Sequence, residues 1–192
     1  VVIGDVTKLV DQDLFNKVRE KIFRQTVYFA PEFDKLFWNF IINRYEKTNI
    51  IDFLKNHYEG INNFFKHNED NLRTISFCID QFKKIYHVRD HYKAIKNNQV
   101  DIFFSLSILG LEFKSNNLTD ENCAKIRLLS CENPIMAAKQ EKDPYLSEFA
   151  RKYLHTDYYR FFYLESLKNY VVNGIFDGQE FSSEIGEIIS KV

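Results

Sequence analysis

His87 and His91 stand four residues apart, a spacing that on a helix turns both imidazoles toward one metal ion. A zinc protease carries glutamate directly after the first histidine. Here Val88, Arg89 and Asp90 lie between the two, the guanidinium opposes a cation, and no third ligand stands out. Two surface histidines account for the pattern, no metal site is expected, and a metal enzyme built on the pair is kept only as an alternative. Ser105 and Ser107 sit in an apolar helical run, not in the G-x-S-x-G turn that exposes a nucleophile. Hydroxyls in such a run are expected to bond back to their own turn. The acidic pairs Glu69-Asp70 and Asp120-Glu121 fall where helices begin, where the helix dipole favours them, and Asp177 belongs to an Asp-Gly turn. The cysteines, Cys78, Cys123 and Cys131, are odd in number and widely spaced, so buried thiols in a reducing compartment are expected rather than a zinc knuckle.

Two places invite an anion instead. Lys17, Arg19, Lys21 and Arg24 form a basic cluster interrupted by Glu20. It is either a solvated helix face or a contact for a phosphate or an acidic partner. Asn71-Leu72-Arg73 places Asn and Arg two apart at the opening of a helix. An arginine there opposes the helix dipole, so it calls for a partner. A nucleotide phosphate matches the guanidinium fork, and a salt bridge to Glu69 or Asp70 is the alternative.

The elements that must position these groups are helical. With 6 Gly and 3 Pro against 19 Phe and 11 Tyr, the chain has few breakers and a large apolar payload. Apolar residues recur at helical spacing from Leu14 to Phe23, from Phe33 to Tyr45, from Ile50 to Lys66, and from Leu72 to Val88, where the helix is expected to run on past His91 toward Ile95. Asp70 or Asn71 is the expected cap of that fourth run. Val100 to Phe113 is the most apolar helix and the expected centre. Helices are further expected over Thr119–Leu129, Tyr145–Tyr153, Asp157–Val172 and Ser182–Val192, with stops at Asn173-Gly174 and Asp177-Gly178. Val1 to Ile3 reads as a strand stub running into Gly4-Asp5, and Arg24 to Phe29 as a short extended segment. A lone strand needs a sheet, so an α/β core is expected to have been cut away before Val1.

The fold class expected is therefore all-α, a multi-helix domain carrying a short N-terminal strand from a missing α/β core. The 26 basic and 27 acidic residues nearly cancel, so charge indicates no nucleic acid. No apolar run reaches the roughly 20 residues that cross a bilayer, so no membrane is expected and the location is read as cytoplasmic.

Three segments in order resemble the C-terminal part of a P-loop ATPase of the AAA+ class, closest to the KAP-type NTPases. They are Val1–Asp5 with Arg19 to Thr26 and the following Val27-Tyr28-Phe29; Asn71-Leu72-Arg73-Thr74 with its helix; and Tyr158 to Gly174 with Ile175-Phe176-Asp177. The second resembles a sensor-2 segment, an Asn-x-Arg at the start of a lid helix. The resemblance implies that Arg73 carries the catalytic sensor role, reaching the γ-phosphate, that Asn71 shapes the helix start, and that Lys21, Ile22 and Phe23 lie at the hinge near the adenine. It divides the chain into the end of the core and hinge (1–30), a helical lid (31–98) and a C-terminal helical region (99–192). No phosphate loop and no acidic strand end are present, so ATP and Mg are expected only with the missing N-terminal core. That core, a protein partner or a second copy are the expected partners, and prokaryotic defence is the suggested setting. A stand-alone helical protein-interaction module without nucleotide is the alternative.

Overall fold

The computed structural model describes residues 32–68, 71–129, 143–154 and 158–189. Among these residues the fold is all-α, as composition and periodicity predict. The strand stub, the extended segment 24–29 and the basic cluster with Lys21, Ile22 and Phe23 lie outside the described residues.

The centre is α6, in a series of ten α-helices among the described residues: α1 (Phe33–Tyr45), α2 (Ile51–Asn56), α3 (Tyr58–Asn68), α4 (Leu72–Val88), α5 (Lys93–Asn97), α6 (Gln99–Lys114), α7 (Asp120–Leu129), α8 (Pro144–Tyr153), α9 (Glu165–Asn173) and α10 (Gly178–Ile189). Every residue of α6 from Ile102 to Glu112 is buried, because neighbours cover it on all sides. It packs most closely along α4 and next along α9. Gly110 allows the approach to α4, since a β-carbon there would stand 3.0 Å from the Cys78 sulfur. The Phe103 ring meets Phe53, Phe65, Phe82 and Phe104 at centroid distances of 5.1–6.4 Å, mostly edge to face. This is where the aromatic surplus goes.

Four helix boundaries differ from the sequence expectation, each for a physical reason. The run from Ile50 to Lys66 is two helices, broken at His57 (φ −113°, ψ 16°), and both halves bury their apolar faces in the core. The fourth helix stops at Val88 and does not continue past His91. The Arg89 guanidinium donates to the Tyr86 carbonyl at 2.8 Å and lies 3.8 Å over the Tyr86 ring, so it takes an acceptor at the helix end. A 3-10 turn, Arg89–His91, and an extended Tyr92 then lead into α5.

The expected helix from Asp157 to Val172 exists only from Glu165. Residues 158–164 instead form an irregular strap along α6. The Arg160 N–H donates to Asp101 Oδ1 and the Phe162 N–H to Ser105 Oγ, both at 2.8 Å. Asp101 and Ser105 are one turn apart on α6, so the central helix satisfies strap amides that a helix would otherwise pair. Ser105 Oγ thus serves the strap as an acceptor, a role its place in an apolar run does not announce. Finally, α10 starts at Gly178, a turn earlier than expected, because Asp177 Oδ1 accepts the N–H groups of Gln179 and Glu180 at 2.9 and 3.0 Å. Gly174 ends α9 in the left-handed conformation (φ 74°), as the Asn-Gly pair predicts. No helix among the described residues is long and apolar enough to cross a membrane.

Candidate functional site

Asn71 caps α4: its side-chain oxygen accepts the Arg73 N–H at 2.9 Å, and its backbone is extended. The capping half of the Asn-x-Arg pattern is thus a local necessity, since the first amides of a helix need acceptors. Arg73 is exposed on the first turn, and its guanidinium forms no ion pair with a described residue. No residue of the first turn is acidic, so within it the Arg73 charge and the helix dipole have the same sign; Glu69 and Asp70, the alternative ion-pair partners, lie outside the described residues.

A second site emerges only from the packing. Trp38 of α1, His57 at the α2–α3 joint, Tyr58 of α3 and Tyr158 of the strap line an open hollow of about 780 Å³, with Asp34, Lys35, Lys55 and Glu59 among the charged groups around it. Trp38 stands edge-on to Tyr58 at 4.6 Å, and Tyr58 stacks on buried Phe37 at 6.0 Å. The Tyr58 hydroxyl donates to the Asp34 carbonyl at 3.0 Å. The Asp34 carboxylate accepts from Asn62 at 2.9 Å and from Lys66 at 3.0 and 3.1 Å. The Asn62 and Lys66 hydrogen bonds hold its pKa below the usual value.

His57 Nδ1 lies 3.0 Å from the Tyr158 hydroxyl. Burial lowers the histidine pKa, which favours the neutral ring. With its proton on Nε2, that ring accepts from Tyr158. The Tyr158 ring lies over Gly60, where a β-carbon would come within 2.2 Å of it. The arrangement presents aromatic faces held by hydrogen bonds, with charged groups of both signs around them. The sequence places Trp38 only within the apolar run from Phe33 to Tyr45 and Tyr158 only at the start of the third resembling segment, and it gives His57 no role. The available signal was Gly60, whose cost inside a helix marks a close approach.

The polar groups inside the core are structural. Glu112 is 3% exposed and accepts from the Tyr145 and Tyr153 hydroxyls, each at 2.8 Å. Burial, and then the nearby carboxylate, push both phenols far above the ordinary tyrosine range. Tyr45 donates to Asp80 at 3.1 Å, beside an Arg44–Asp80 ion pair of 2.7 Å, and burial raises its pKa to about 12.

His87 lies in the last turn of α4 with Nδ1 3.3 Å from Asn49 Nδ2, while His91 falls in the 3-10 turn, so the two do not share a helical face. No group of three or more metal-binding side chains occurs among the described residues. Cys78 and Cys123 are buried thiols; Cys131 lies outside the described residues. No family model, no curated protein and no solved structure matches the chain.

Proposed function

We propose that this chain is the helical lid and C-terminal module of a cytoplasmic P-loop ATPase, with Arg73 as its nucleotide sensor. The observation that carries the reading is the exposed Arg73 guanidinium on the first turn of the Asn71-capped, 17-residue helix α4, without an ion pair to a described residue. A sensor arginine needs that placement: fixed at its backbone and available at its head group. In this reading ATP and Mg belong to a core outside the chain, Lys21, Ile22 and Phe23 lie near the adenine, and nucleotide occupancy moves the lid against that core to signal to a partner. Prokaryotic defence is the setting suggested by the resemblance.

The test has two steps. The coding sequence before Val1 is examined for a phosphate loop and an acidic strand end within about 150–250 residues, one domain length. Arg73→Ala is then made in the full protein. The expected result is ATP turnover reduced roughly a hundredfold, about 2.7 kcal/mol of transition-state stabilisation, with ATP still bound. An upstream region without a phosphate loop overturns the reading, as does unchanged turnover in the variant.

A second reading, a helical protein-interaction module that needs no nucleotide, is favoured by the hollow around Trp38, Tyr58 and Tyr158. Tryptophan and tyrosine are the side chains that most often anchor interfaces. A partner bound without nucleotide, and released by Trp38→Ala but not by Arg73→Ala, would establish it. Loss of binding with Arg73→Ala alone would exclude it.

A further inference from the structure

We draw no further inference here: the strongest candidate, the open hollow between α1, the α2–α3 joint and the strap rimmed by Trp38, His57, Tyr58 and Tyr158, already serves the second reading above, its lysines and carboxylates nearly cancel in charge, and nothing in the structure shows what covers it.

Discussion

Glu112 is a carboxylate placed in an aromatic interior, and its two oxygens are each matched by a tyrosine hydroxyl. Replacing it by alanine would leave both hydroxyls without that acceptor, one of them on fully buried Tyr153. A buried unpaired polar group costs about 1–3 kcal/mol. Glu112→Ala is therefore expected to lower stability by at least that much in urea unfolding, and Glu112→Gln, which keeps an acceptor, by less. An alanine variant as stable as the parent would show that the pair of hydrogen bonds contributes nothing.

His57 gives a pH prediction at the same scale. Its folded pKa lies below the ordinary value of 6.5, through burial. The unfolded chain then binds the proton more readily than the folded one. The stability from this group is full above pH 6.5 and is lost as pH falls through the folded value. A histidine titration followed by NMR should place His57 below 6.5. Tyr45 acts at the alkaline end. Its folded pKa of about 12 exceeds the usual 10.0, so its contribution is present below pH 10 and is lost as pH rises toward 12.

Among the elements, the strap is the one whose conformation depends most on its neighbour. Residues 158–164 have no helix of their own, and the buried Phe162 amide is bonded to Ser105 Oγ. Ser105→Ala removes that acceptor without changing the helix propensity of α6 unfavourably. The expected outcome is a loss of about 1–3 kcal/mol and faster hydrogen exchange at the Phe162 amide. Unaltered exchange there would mean that the aromatic side chains hold the strap without the serine. The caps behave differently, being local. Asp143 accepts from the Tyr145 and Leu146 amides at the start of α8, ahead of Pro144. Asp143→Ala is expected to cost about 1 kcal/mol, read as a lower midpoint in thermal unfolding. The same carboxylate pairs with Lys125 of α7 at 3.0 Å, but that partly exposed bridge adds little.

Across the whole molecule, one heavily aromatic core organises the described helices, and Phe103 lies at its middle. Phe103→Ala is expected to destabilise by about 3–5 kcal/mol, since the cavity is ringed by aromatic side chains that cannot all move inward. Exposed Ile175, on the far side of the αL cap, should tolerate serine within about 0.5 kcal/mol. The contrast, measured in one urea series, tests whether the core or the surface sets stability. Several features were determined by the sequence alone. The helical class, the central position of the run around Ile102 to Leu111, a cap at Asp70 or Asn71 and the Gly174 stop all depend on neighbours within a turn or two, and composition and spacing report those directly. The tertiary structure decided the rest. A helix broke at His57 because two apolar faces had to reach one core. The aromatic segment after Tyr158 became a strap because Asp101 and Ser105, more than fifty residues earlier, supplied its hydrogen-bond acceptors. The hollow brought Trp38, His57 and Tyr158 together across distances in sequence that no periodicity encodes. Local energetics choose the elements, but side chains remote in the chain compete for the same backbone groups, and only their meeting in space settles that competition.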